Sequence, residues 1–146
     1  SNPSSKVGEL MASLEQGIRS ILIADTDVSA LVVARVFPWM RQQGTVFPAI
    51  VYELDGIEPE QGLGGYQSLT RAELSISSVA ETYGGAKTLS GHVRDALNGY
   101  TGTPTNGLPI KSLVHDNDIG IVEDSQIGNS RGVTVIESSY IIWYSD

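Results

Sequence analysis

The sequence predicts an α+β fold, a mostly antiparallel β-sheet with two main helices packed on one face. Three observations carry this prediction. Residues 6–23 and 83–98 place apolar side chains at steps of three and four, the spacing of a helix that is buried on one side. Residues 69–80 alternate apolar and polar side chains, which is typical of a strand with one buried face. Residues 133–144 are apolar on both faces near their end, so we expect this strand in the centre of the sheet or beneath a partner.

Capping residues mark the helix ends. A short helical turn is expected over residues 28–33, capped by Asp27. Thr82 is the predicted N-cap of the second main helix, and Asn98-Gly99 is its predicted end.

The remaining chain is expected to form short strands and loops. Pro38 and Pro48 bracket an irregular stretch, because proline removes a backbone donor and disfavours helix before it. The further strand candidates are residues 47–54, 110–114 and 119–124, and the long loops are residues 56–68 and 125–132.

Length and composition limit the class of protein. The 146 residues form a single domain over 1–146, in which residues 1–5 are expected to be a tag remnant or a flexible N-terminus. A net charge of −8 argues against a general nucleic-acid binder, which needs a cationic surface. The absence of cysteine excludes disulfides, cysteine-bound zinc and thiol catalysis, and two histidines exclude a multi-histidine metal site in one chain. No long apolar run or signal-type segment is seen, so we expect a soluble protein made in a cytoplasm.

Residues 69–102, LTRAELSISSVAETYGGAKTLSGHVRDALNGYTG, carry a family resemblance. The matching positions are Arg71, Thr82-Tyr83, Ala86, Val93-Arg94, Ala96-Leu97 and Gly99, supported by Asp27–Leu31, Pro48–Tyr52 and Ile142–Tyr144. In this order and spacing the chain resembles the tail completion and tail terminator proteins of long-tailed bacteriophages, the group that includes minor tail protein U-like, head–tail joining proteins. Family members often carry an Asp and an acidic-aromatic pair before the last strand, where this chain reads EDSQIG over residues 123–128.

The resemblance implies a non-enzymatic structural protein of a phage or prophage virion. Such proteins resemble subunits of a ring, commonly a hexamer, that caps the tail tube, ends its polymerisation and offers a surface for joining the head. The implied partners are further copies of the chain, the tail tube protein and the head connector or neck proteins. The implied location is the virion tail, with assembly in the host cytoplasm, and neither a cofactor nor a membrane is implied.

The same resemblance leaves the role within the virion open. A neck subunit, which contacts the head connector, is the alternative role within the family. DNA would pass through the ring without specific binding. Six subunits at −8 each give −48, and an acidic lumen would repel the DNA phosphates.

Closing a ring requires two different patches on each subunit. We expect loops 56–68 and 125–132 and a free sheet edge to supply them. Leu63 and Tyr66, in loop 56–68, either contact a neighbouring subunit or belong to a solvated loop. Trp39, in the stretch between Pro38 and Pro48, either covers the core or is an exposed interface hot spot. The candidate interface residues are Trp39, Arg41, Leu63, Tyr66, Arg71, Gln126 and Arg131.

The rival interpretation from another class is a small metal-dependent hydrolase that uses His115, Asp116 and Asp118. These residues do not match a calcium loop, because the fifth and sixth positions are Gly120 and Ile121. The alternative for this segment is a solvated turn between strands. A monomeric ligand-binding module is a third possibility, and it would require a deep apolar pocket.

Two further motifs have no recognisable chemistry around them. His92 lacks a nucleophile motif that would make it a general base. Residues 62–65 are glycine-rich but are not followed by the Lys-Ser/Thr of a phosphate-binding loop.

Overall fold

A computed structural model describes residues 3–38, 46–59, 70–124 and 133–145. The described residues form three helices and one five-stranded sheet, which confirms the α+β class. The elements are α1 (Pro3–Ala24), α2 (Thr26–Val32), β1 (Val36–Pro38), β2 (Ala49–Pro59), β3 (Thr70–Ala80), α3 (Tyr83–Leu97), β4 (Ile110–Asp124) and β5 (Val133–Tyr144).

The strand order is β1-β2-β3-β5-β4, and every neighbouring pair is antiparallel except β1 and β2. Strand β5 lies between β3 and β4, which confirms its predicted central place. The β2–β3 and β4–β5 connections leave the sheet at opposite ends. Thr70 pairs with Pro59 and with Tyr144, whereas Ala80 pairs with Thr134 at the other end.

The core lies between the sheet and the three helices, which all pack on one face of it. Burial of each large apolar side chain there contributes about 1.5–3 kcal/mol. The apolar helical spacing explains this arrangement, since Ala86, Leu89, Val93 and Leu97 form the buried stripe of α3. The largest fully buried core side chains include Leu14, Ile18 and Leu22 of α1, Leu74 and Ile76 of β3, and Tyr140 and Tyr144 of β5.

The helix ends confirm one predicted cap and correct another. Thr82 Oγ1 accepts the Gly85 N–H at 3.0 Å, as expected of an N-cap. Helix α2 is capped by Asp25 and not by Asp27, because Asp25 Oδ1 accepts the Val28 N–H at 3.0 Å. Helix α1 begins at Pro3, inside the stretch expected to precede the fold.

The chain between α2 and the stretch predicted to be irregular forms the short parallel strand β1, which the sequence did not predict. The Ile50 N–H donates to the Arg35 carbonyl at 2.9 Å and so starts the pairing with β2. Pro38 is tolerated because it lies on the outermost strand, where a missing N–H breaks no ladder. Residues 39–45 of the stretch predicted to be irregular, between Pro38 and Pro48, lie outside the described residues.

Strand β4 is continuous, which corrects the predicted turn around His115–Asp118. The pairing with β5 shifts register between His115 and Asn117 and again between Asp118 and Gly120. These two bulges absorb the extra residues, so the strand bends but does not end. Strand β2 also extends to Pro59, into the predicted loop, with its own irregularity between Leu54 and Gly56.

Candidate assembly interface

The sheet has a face that no helix covers. On β2, β3 and β5 the described charged side chains of this uncovered face are three carboxylates (Glu53, Glu73, Glu137) and one guanidinium (Arg71). The pairing places Ile141 beside Glu73 and beside Val114, which is 42% exposed. The uncovered face therefore combines an acidic bias with an apolar strip toward β4.

Arg71 is the one predicted interface residue that the described ranges contain. It lies on the uncovered face, where its guanidinium pairs with the Glu73 carboxylate at 3.0 Å and where Trp143 is its cross-strand neighbour. This pair is partly exposed, so we expect it to contribute at most about 1 kcal/mol. The other predicted residues, Trp39, Arg41, Leu63, Tyr66, Gln126 and Arg131, lie outside the described residues.

The outer edge of β4 is covered over its first half by the segment that follows α3. Gly99 N–H donates to the Leu113 carbonyl at 2.7 Å, and His115 N–H donates to Asn98 Oδ1 at 2.9 Å. Gly102 and Ile110 exchange two backbone hydrogen bonds at 3.0 and 2.8 Å. The rest of the β4 edge, residues 116–124, lies beyond this cover. The sequence suggested a free edge but did not indicate that half of it is occupied.

A polar cluster joins β4, β5 and α3 at the bulge between His115 and Asn117. Asp118 Oδ1 accepts from His115 Nε2 at 3.0 Å and from Ser138 Oγ at 2.8 Å. Ser138 is buried, and its Oγ lies 3.4 Å from Ser90 Oγ on α3. The hydrogen bonds from His115 and Ser138 hold the pKa of the Asp118 carboxyl below its usual range. Burial, aided by the Asp118 charge, raises the pKa of the neighbouring Tyr140 phenol.

This cluster does not have the geometry of a hydrolase site. A catalytic serine gives its proton to a histidine, whereas Ser138 donates to the carboxylate and His115 lies on the other side of it. Asp116 is exposed and has no hydrogen bond to the cluster. Within the described ranges no group of three His, Cys, Asp or Glu side chains could hold a metal ion. The cluster therefore links the bulged strand β4 to β5 and helix α3 through side-chain polar contacts.

A groove of about 380 Å³ lies between α1, α3 and the segment after α3. Its lining includes Ser20, Asp25, Tyr100 and Pro104, so it is a mixed surface rather than a deep apolar pocket. None of the helices in the described ranges is long and apolar enough to cross a bilayer.

These features define a class of fold: a small α+β domain with one helical side, one uncovered sheet face and two unlike sheet edges. Residues 16–118, more than half of the chain, match the family described as Tail completion protein gp17. The chain therefore belongs to the tail completion protein gp17 family, whose members are structural proteins of phage tails. No protein with a curated description matches the sequence.

A solved structure shares the fold. A chain in the virion of a native gene transfer agent particle aligns with a TM-score of 0.65 and 16% sequence identity, over 94% of this chain and 98% of that chain. A second solved chain aligns over 96% of this chain and 97% of that chain, with 12% identity and a TM-score of 0.47.

Proposed function

We propose that this protein is a ring subunit that caps the phage tail tube, ends its polymerisation and provides the surface for joining the head. The observation that carries the proposal is the one-sided cover of the sheet. If six copies stand side by side with the helices outward, the uncovered face lines the lumen. Glu53, Glu73 and Glu137 then outnumber Arg71 along the DNA path, and their charge repels phosphates, so that DNA slides through without specific binding.

The width of the sheet suits such a lumen. Five strands spaced about 4.8 Å apart make a sheet roughly 24 Å wide, and six such sheets enclose a circle about 46 Å across. A DNA duplex passes freely through an opening of this size.

The topology also supports two distinct ring faces. The chain leaves β2 at Pro59 and re-enters at Thr70 at one end of the sheet, and it leaves β4 at Asp124 and re-enters at Val133 at the other. In a ring with strands along its axis, one end faces the tail tube protein and the other faces the head connector or neck proteins. This polarity is what a cap needs, because one side must mimic the next tube layer while the other prevents further addition.

The first experiment is electron microscopy of particles from a phage or prophage that lacks this gene. Tails of uncontrolled length are expected for a cap. Normal tails that fail to join filled heads would indicate the neck role instead, and wild-type particles would contradict both.

A second experiment tests the lumen. We expect a triple variant with Glu53, Glu73 and Glu137 changed to Lys to assemble particles that eject DNA more slowly. The matched control carries the same charge change at the exposed residues Asp27, Glu81 and Asp95 on the helical side and beyond β3. Equal ejection by the two variants would contradict the inward orientation of the uncovered face.

A further inference from the structure

The two edges of the sheet carry opposite charge. At the β1 edge, Arg19 donates to the Val36 carbonyl at 3.2 Å and to the Ala34 carbonyl at 3.4 Å. Arg35 donates to the Pro48 and Leu31 carbonyls at 2.9 and 3.1 Å. Neither guanidinium forms an ion pair with a carboxylate in the described part of the chain. Glu15 is the nearby carboxylate on α1, one turn before Arg19, and both charges act on Tyr52. The sequence from Val28 to Tyr52 contains Arg35 and Arg41 and no acidic residue. We call Arg19 and Arg35 the basic edge.

The β4 edge is the reverse. Asp116 and Asp118 are both exposed, and Asp116 occupies the first bulge, where it has no partner on β5. Strand β4 contains four acidic residues and one cation, Lys111 near its start. We call Asp116 and Asp118 the acidic edge.

The register places Asp118 level with Pro38, two residues along β1 from Val36, whose carbonyl accepts from Arg19. Asp118 pairs with Ser138, Ser138 with Ile76, Ile76 with Tyr52, and Tyr52 with Pro38 of β1. One charge of each edge, Arg19 and Asp118, also lies on the helical side. Arg19 reaches β1 from helix α1, and Asp118 bonds Ser138, which contacts Ser90 of α3.

Continuous backbone pairing between two copies is obstructed at both edges. Arg19 occupies the Val36 carbonyl of the three-residue strand β1, and the segment after α3 occupies β4 from Ile110 to His115. Bulges and charged side chains are also common means of preventing edge-to-edge sheet growth. Residues 116–124 of β4 lie beyond that segment, but β1 has only three residues to pair with them, so a lateral contact depends chiefly on side chains.

We infer that the partner of the acidic edge is the basic edge of a second copy of this chain, in a head-to-tail contact that rests on the proposed ring. A rotation about an axis along the strands carries one copy onto the next, keeps the helices on one side and brings the two edges together, with Asp118 two residues from the level of Val36. Because each copy has a net charge of −8, contacts that do not pair unlike charges are repulsive. The unlike edges thus select this orientation over the others.

The test is sedimentation velocity of the full chain at two salt concentrations. At about 0.01 M salt the Debye length is about 30 Å, and at about 0.15 M it is about 8 Å. The unlike edges favour association at the lower salt, whereas the net charge of −8 opposes it there, so each variant is compared with wild type at the same salt concentration. Asp116→Lys should weaken that association by about tenfold or more, since it places like charges at the contact.

Glu81→Lys is the matched control, because Glu81 is exposed, follows the middle strand β3 and changes the net charge equally. It should leave association within about twofold of wild type. Equal association of the two variants would overturn the inference, because the position of the new lysine would then make no difference.

A mixing experiment gives an independent readout. Asp116→Lys cancels the charge of the acidic edge and leaves the basic edge intact, whereas Arg19→Glu does the reverse. Each variant alone should therefore be monomeric, while the mixture forms the wild-type contact at low salt. If Arg19→Glu does not fold, Ala34→Glu adds a carboxylate at an exposed position on the same edge and leaves Arg19 in place. A mixture that stays monomeric at low salt overturns the lateral contact. The cap itself is tested separately, since tails of uncontrolled length in the gene deletion would leave the proposed function intact.

Discussion

Gly17 of α1 and Gly107 of the segment before β4 lie in direct backbone contact. A Cβ atom on Gly107 would lie 2.7 Å from Gly17 Cα and 2.7 Å from Pro104 Cγ. Ser20 Oγ, one turn further along α1, donates to the Thr105 carbonyl at 2.8 Å. The close approach therefore fixes the segment that continues to the covered edge of β4.

Gly107→Ala is expected to destabilise the protein by about 1–3 kcal/mol, because the added methyl group must displace backbone atoms. Gly91→Ala is the matched control, since nothing lies within 4 Å of its added Cβ inside helix α3. That control should stabilise by about 0.4–1 kcal/mol through helix propensity and chain entropy. Urea unfolding measures both, and a neutral result for Gly107→Ala would show that the contact relaxes without cost.

Asp118→Asn is expected to reduce stability at neutral pH and to flatten its loss in acid. The pKa of Asp118 is lowered in the folded protein, so its contribution is present above the ordinary carboxyl pKa and is lost as the pH falls through the folded value. The side chain is 56% exposed, so we expect an effect of about 0.5–1 kcal/mol, after discounting for solvent screening.

The measurement for Asp118 is urea unfolding at a series of pH values from neutral to about 3, a range that spans the ordinary Asp pKa. Asp116→Asn is the control, because that carboxylate is exposed and makes no hydrogen bond to the cluster. Identical pH profiles for the two variants would mean that His115 and Ser138 do not stabilise the carboxylate.

The regular elements could be predicted from the sequence because each carries a period. The apolar spacing of α3 and the alternation of β3 define which side chains face the core, and those side chains are buried. Thr82 could be recognised as a cap because the side-chain oxygen acts within three residues.

What the sequence did not reveal depends on partners distant in the chain. Strand β1 is three residues long and exists because β2 and Arg19 supply its hydrogen bonds. The turn predicted at His115–Asp118 is a bulged strand because β5 pairs on both sides of it. The unlike charge of the two edges needs the strand order, which no local pattern contains.

Tyr140→Phe is expected to leave stability unchanged or to raise it by up to about 1 kcal/mol. The Tyr140 hydroxyl is fully buried and has no hydrogen-bond partner among the described residues, so its removal relieves a desolvation cost. The ring itself remains, and with it the edge-to-face contact with His115, whose centroid is 5.3 Å away. Thermal unfolding measures the change, and a loss of more than about 1 kcal/mol would indicate that the hydroxyl has a partner in solution.

Arg35→Met is expected to cost about 2 kcal/mol, because the Pro48 and Leu31 carbonyls lose a charged donor while the aliphatic packing is kept. Arg35→Lys should fall between wild type and Arg35→Met, since an ammonium group keeps the charge but cannot reach both carbonyls with a planar fork. Lys111→Met is the control for charge removal at an exposed position and should stay within about 0.5 kcal/mol of wild type. Urea unfolding of the three variants tests the order. If Arg35→Met and Lys111→Met lower the free energy of unfolding equally, the two carbonyl contacts of Arg35 contribute nothing to stability.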